Sequence, residues 1–198
     1  GKRYTRKDAI KVPLVLPATE SGKAALKLTK SSPLDSMLPP DRQIKSSLTW
    51  ILNNPNEELY ETFLLKVLSV LLFDGTNSPF YKKLIESGAA YEFSCNTGLD
   101  SMTSKNFISV GLQGISSDFL TNEFEQTILD ILKNDCMNDM SLYSKTKVQA
   151  LINQMELSLK NQQSQFGLTI LSHILPQWVN HADPFELINF TENVDLFK

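Results

Sequence analysis

Two histidines, His173 and His181, and two cysteines, Cys95 and Cys136, are the side chains of this 198-residue sequence best suited to metal or nucleophilic chemistry. A helical zinc site wants two ligands about one turn apart, as in H-E-x-x-H or its inversion H-x-x-E-H, with a further carboxylate elsewhere. The histidines stand eight apart, and neither order occurs. His173 lies between Ser172 and Ile174 in an apolar helical pattern and reads as a core or boundary histidine; His181 precedes a helix cap and reads as exposed. The cysteines form no C-x-x-C or Cys/His pattern, and no Ser or Cys sits in a nucleophile elbow. Two isolated cysteines fit a reducing compartment better than a disulfide scaffold. The carboxylates Glu57-Glu58 and Glu123/Glu125 fall in first turns of predicted helices, where the helix dipole accounts for them.

One stretch remains as a candidate, Asp74-Gly75-Thr76-Asn77-Ser78-Pro79. Backbone N–H groups at a helix start attract phosphate. The stretch lacks the G-x-x-x-x-G-K-[ST] spacing, however, and follows a helix rather than a strand. The expected role is a corner: Gly75 ends one helix, Ser78 caps the next, and Pro79 takes its first position. An anion-binding module is the competing reading, and it requires phosphate or nucleotide to raise thermal stability.

The elements that would hold these residues follow from periodicity. Alternation over Gln43–Leu52, with Leu48, Trp50 and Leu52 on one side, predicts a strand. Asn54-Pro55-Asn56-Glu57 resembles a capping box and predicts a helix start, followed by the stripe Leu59, Phe63, Val67, Val70 and Leu71. A short helix with Phe80, Tyr81, Leu84 and Ile85 stops at Gly88. Tyr91, Phe93 and Cys95 alternate as a strand, Asn106–Leu112 as another, and Thr97–Lys105 is the link between them. A helix capped at Ser116 or Ser117 carries Phe119, Leu120, Phe124, Ile128, Ile131 and Leu132. Strands and helices mixed in this order, with an antiparallel pair after the helices, predict an α+β layer sandwich.

From Ser144 the pattern is all helical: Val148, Leu151, Ile152, Met155 and Leu159, then Leu168–Val179 after a Gln-rich link, then a start at Asp183-Pro184. The expected organisation is a basic lead-in and connector over 1–42, an α+β domain over 43–142 and a helical extension over 143–198. The lead-in includes Val12–Pro17, an edge strand at best because prolines box it.

The hydrophobic fraction of 41% is that of an ordinary globular chain. Residues 1–30 carry +6 and the remaining 168 carry −9, which together give the net −3. The acidic remainder argues against a nucleic-acid groove. The longest apolar run, Val67–Phe73, falls far short of the roughly 18 residues a spanning helix needs, and the start carries no signal-peptide pattern.

The helix-loop-helix of Asp74–Gly88, the strand Phe107-Ile108-Ser109-Val110-Gly111-Leu112-Gln113-Gly114 and the tail segments Val148–Leu151, Ser164–Leu168 and Trp178–Pro184 resemble one group. It is the pitrilysin/insulinase superfamily of inverted-motif zinc metallopeptidases, and within it the presequence-protease branch. The resemblance covers roughly 43–190. It implies a repeated α+β domain and a parent zinc metalloendopeptidase that degrades mitochondrial targeting presequences and other short unstructured peptides. It also implies a chamber closed by two halves of the parent, and a location in the mitochondrial matrix or intermembrane space.

This chain has no H-x-x-E-H, so the resemblance places it as the non-catalytic second domain, a piece of chamber wall. Its partners would be unfolded peptides and the catalytic domain and C-terminal half of the parent. No metal or catalytic residue is expected here, and the segment alone is expected to be inactive. In the assisting repeat of such enzymes an Arg stands seven residues before a Tyr; here Tyr91 keeps the tyrosine position while Leu84 takes the arginine's. Tyr91 is therefore a wall residue rather than a catalytic hydroxyl. The alternative is a purely structural module of the same fold, as in core proteins of respiratory complexes.

Overall fold

A computed structural model describes residues 26–55, 57–160, 164–179 and 183–188. The chain divides into two compact units, 1–33 and 34–198. The described part of the first, residues 26–33, is exposed and without regular structure. Val12–Pro17 and His181 lie outside the described residues. All that follows concerns the second unit.

Four strands form one antiparallel sheet: β1 Ile44–Ile51, β2 Glu92–Phe93, β3 Gly98–Asp100 and β4 Phe107–Ile115. β4 is central, with β1 along one side and both β2 and β3 along the other. The predicted strand at Gln43–Leu52 is present, and its alternation holds: Ile44, Ser46, Leu48 and Trp50 are half-buried while Lys45, Ser47, Thr49 and Ile51 are exposed. A β-bulge at Gly114, whose φ is +72°, shifts the register between Ile44 and Lys45.

The link Thr97–Lys105 departs from the sequence expectation, because β3 lies inside it. Glu92 pairs with Gln113 and Phe93 with Leu112, whereas Gly98 pairs with Ser109 and Leu99 with Ile108. β2 and β3 are thus one strand interrupted by a two-residue insertion. At the interruption Ser94 N still donates to Gly111 O (2.9 Å). The Thr97 hydroxyl then donates to Gly111 O (2.7 Å) and accepts from Gly111 N (3.1 Å), serving both backbone groups of the central strand.

Helices cover one face of this sheet. α1 spans Leu59–Phe73, four to five residues later than the capping-box reading requires. Asn54 O accepts from both Glu57 N and Glu58 N (3.2 Å each), so that segment closes as a turn before the helix. Thr62, in the first turn of α1, is buried and accepts from Asn106 Nδ2 (2.8 Å), which also bonds Asn53 Oδ1 (2.7 Å). Asn106 itself is fully buried, and this side-chain bridge fixes the helix start against the start of β4.

The predicted helix after Ser116 begins as expected, with Ser116 Oγ accepting from Phe119 N (3.2 Å). It then breaks at Glu123 (φ −127°) into α2 Ser117–Asn122 and α3 Phe124–Asp130, and continues as a π-helical turn, Ile131–Met137. Leu72, Phe80, Leu84, Val110, Leu112, Ile115, Phe119, Phe124 and Ile128 form the main core between sheet and helices. The α+β class is as predicted.

The helical tail comprises α4 Lys145–Lys160, α5 Phe166–Val179 and α6 Pro184–Ile188. α5 starts two residues before the expected Leu168, and Asp183 caps α6 by accepting from Phe185 N (2.8 Å). Ile152 of α4 joins Phe63 and Val67 of α1 in a second core cluster.

Candidate functional site

The corner at Gly75–Ser78 is built by two hydrogen bonds onto one carbonyl. Ser78 N (3.2 Å) and Ser78 Oγ (2.9 Å) both donate to Gly75 O, with Gly75 at φ +75°. Ser78 is buried. Its hydroxyl is therefore turned back onto Gly75 instead of capping the following helix by acceptance, which corrects that part of the reading. Pro79 does start the next helical stretch, which widens into a π-helical turn over Tyr81–Glu86 and ends at Gly88, φ +81°. The rings of Phe73 and Phe80 meet across the corner at 4.8 Å, and Phe93 stands edge-on to Phe73 at 6.2 Å. An aromatic cluster and an inward hydroxyl make a packed corner, not an anion cradle.

Leu84 and Tyr91 lie close along the chain but in opposite environments. Ala90 N donates to Leu84 O (2.8 Å) and Tyr91 N to Gln113 O (3.0 Å), so backbone bonds carry the short helix directly into β2. Leu84 is 0% exposed and sits in the main core, whereas Tyr91 is 63% exposed. A side chain at position 84 points into hydrocarbon, and the tyrosine stands outside it without a basic partner from that position.

Arg42 is the neighbour that sequence reasoning left in the connector. Its Nη1 donates to Gly88 O (3.1 Å), Ala89 O (3.2 Å) and Gly114 O (3.4 Å). These carbonyls belong to the two backbone segments that flank Tyr91, so the guanidinium ties the turn to the bulge of β4. No local pattern marks Arg42, because all three acceptors are carbonyls more than forty positions away in sequence.

The face of the sheet opposite the main core carries small neutral polar groups. Thr49 and Ser109 hydroxyls are paired at 2.8 Å, and Asn96 Nδ2 donates to Ser47 Oγ (2.9 Å). Ser94 and Asn96 are hydrogen-bonded to each other above Gly111. A Cβ on Gly111 would lie 2.5 Å from Asn96 Oδ1, so glycine is what lets the interrupted strand fold over the sheet. Charged groups stand at the rim: Lys45 opposite Gln113, Glu92 bonded to Gln113, and Asp100 opposite Phe107.

Of the side chains singled out for chemistry, the described ones lie on separate elements: His173 on α5, Cys95 between β2 and β3, and Cys136 in the π-helical turn Ile131–Met137. His173 is exposed on α5, contrary to the core or boundary reading, because the buried side of that helix is formed by Ile174 and Gln177. Cys95 is exposed and Cys136 buried. Burial pushes the Cys136 thiol up to about 12, with the charge of Asp135 adding to the effect. A thiol held neutral in this way is no nucleophile. Among the described residues no group of three His, Cys, Asp or Glu side chains could hold a metal ion, so the donor set present does not fit a zinc centre. A groove of about 370 Å³ between α1 and α4 is lined by Leu64, Leu68, Leu71 and Val148, with Lys145 and Gln149 also lining it. Its lining is mostly apolar, and Tyr143, Lys145 and Gln149 are its polar side chains.

The second unit is an α+β layer with a packed corner, Leu84 in its core and no group of three metal-ligating side chains among its described residues. Residues 16–155 match the model of the peptidase M16 inactive domain, and the chain belongs to that family. The chain is 47% identical over 166 residues to the mitochondrial presequence protease of Kluyveromyces lactis, covering 83% of this chain and 16% of that relative. It is 40% identical over all 198 residues to the mitochondrial presequence protease of Saccharomyces cerevisiae, or 19% of that protein. With the mitochondrial presequence protease of Schizosaccharomyces pombe it shares 38% identity over 174 residues, 87% of this chain and 17% of the relative. The chain thus spans less than a fifth of the length of these relatives.

Proposed function

We propose that this chain is the non-catalytic second domain, with the start of a helical connector, of a mitochondrial zinc metalloendopeptidase that degrades targeting presequences and other short unstructured peptides. The observation that carries this reading is the 40% identity maintained across all 198 residues with a protein named as a mitochondrial presequence protease. In this arrangement residues 43–142 form the repeat domain and 143–198 the connector. The metal-binding motif belongs to another part of the same polypeptide. The segment contributes chamber wall, with Tyr91 among the candidate lining residues. A wall of neutral hydroxyl and amide groups, such as the open sheet face, offers hydrogen bonds to peptide backbone without selecting side-chain charge.

The test is made on the full-length polypeptide. It should contain H-x-x-E-H outside these residues, bind stoichiometric zinc by elemental analysis, and hydrolyse a fluorogenic presequence peptide. Zinc bound stoichiometrically by the side chains of residues 1–198 alone would overturn the assignment. A full-length chain lacking H-x-x-E-H would remove the peptidase and leave a structural module.

A further inference from the structure

The groove between α1 and α4 lies where the two core clusters meet, since Leu71 packs against both. Leu64, Val67, Leu68 and Leu71 of α1 and Val148 of α4 give it an aliphatic lining. Leu64 and Leu71 stand about 10 Å apart along the helix. Spread over that length, about 370 Å³ leaves a cross-section of about 35 Å². That is room for one alkyl chain and far too little for a helix about 10 Å across. Both long walls are helices, whose backbone groups are bonded internally. An extended peptide laid between them would bury amides without partners, which is costly. The fitting occupant carries its polar atoms at one end only.

The polar groups of the groove supply the place for that end. Tyr143, Lys145 and Gln149 come from the start of α4 and the turn before it, and no carboxylate lines the groove. The first turn of α4 holds Lys145 and Lys147 and no acidic residue, the reverse of what a helix dipole favours. Lys147 acts on the charge of Asp139, whereas Lys145 forms no ion pair among the described residues. An anion beside Lys145 would relieve the mismatch.

We infer that this groove binds a straight-chain monocarboxylate of medium length, with its alkyl chain along Leu64, Leu68, Leu71 and Val148 and its carboxylate at Lys145 and the Tyr143 hydroxyl. Burial raises the Tyr143 phenol above its ordinary value, with the charge of Cys136 adding to the effect, so it stays an O–H donor to the carboxylate. The site requires no peptidase activity in the parent.

The test uses the full-length polypeptide, irradiated with a decanoic acid that carries a diazirine on its chain. Adducts mapped by mass spectrometry should fall within 64–71 and 143–149, and excess decanoate should suppress them. Calorimetric titration should show one saturable site that tightens about two- to fourfold per methylene from octanoate to decanoate. Decylamine should not bind. Lys145 is exposed, so Lys145→Gln should leave the fold intact, weaken decanoate about fivefold and leave decanol unchanged. Absence of saturable binding, adducts confined to other segments, decylamine binding as tight as decanoate, or an unaltered Lys145→Gln variant would each overturn the inference. So would adducts suppressed by a presequence peptide and not by decanoate, which would assign the groove to peptide. None of these readouts uses peptide hydrolysis, so the site and the proposed function fail separately.

Discussion

Replacing Leu84 with arginine would restore, in sequence, the residue that the assisting repeats of this superfamily carry seven positions before the tyrosine. The structure predicts that it restores nothing else. Leu84 is 0% exposed, in a cluster with Phe80, Leu112, Ile115 and Ile128. Removing a buried leucine costs about 2–5 kcal/mol. Burying a guanidinium with no partner adds several kcal/mol more, since breaking a buried pair already costs about 3–5 kcal/mol. The sum rivals the entire stability of a typical domain, about 5–15 kcal/mol. Leu84→Arg should therefore abolish cooperative unfolding or drive the chain into inclusion bodies. Leu84→Met should cost less than about 1.5 kcal/mol, and Leu84→Ala should fall between. Urea titration followed by circular dichroism and by Trp50 fluorescence ranks the three, because Trp50 packs against the same cluster. A folded Leu84→Arg protein with an unchanged midpoint would refute the reasoning, for it would mean that the side chain reaches solvent beside Tyr91.

Gly111→Ala should lower the urea midpoint by an amount equivalent to about 1–3 kcal/mol, because the new methyl would overlap the Ser94–Asn96 pair. Adding Ser94→Ala and Asn96→Ala should recover part of the loss, and a Gly111→Ala chain as stable as its parent would show that the interrupted strand does not fold over the sheet. Iodoacetamide followed by mass spectrometry should modify Cys95 in the native chain and Cys136 only after denaturation; equal labelling would overturn the burial of Cys136. The same thiol sets a pH dependence. Its folded-state value lies above the ordinary 9.0, so the native state keeps a proton that the unfolded state loses, and stability falls as pH rises from 9.0 towards 12. Cys136→Ala should flatten that alkaline slope, and an unchanged slope would contradict the assignment.

Much of this fold is legible locally. The alternation of β1, the Ser116 cap, the glycine stop at Gly88 and the Asp183-Pro184 start each depend on neighbours within a few residues, and each is where the pattern puts it. The failures share a different cause. β3 lies in a run of small polar residues without periodicity, and pairing with β4 alone makes it a strand. The late start of α1 depends on Asn106, which bonds Thr62 from 44 positions away. The π-helical turns keep an apolar stripe that cannot be told from that of an α-helix. At the candidate site, Leu84 announces itself as apolar, whereas Arg42 acts through carbonyls that no sequence pattern names. His173 is exposed because it shares the polar side of α5 with Thr169 and Ser172, while Ile174 and Gln177 take the covered side.

The interruption between β2 and β3 has a consequence for aggregation. A long straight sheet margin invites any extended chain to add itself as another strand. Here that margin is cut into segments of two and three residues, with a kink between them that no regular strand can follow. If the domain borders a compartment crowded with unfolded peptide, as proposed, this side of the sheet offers such peptide no template to nucleate on. Material could pass along it without being captured.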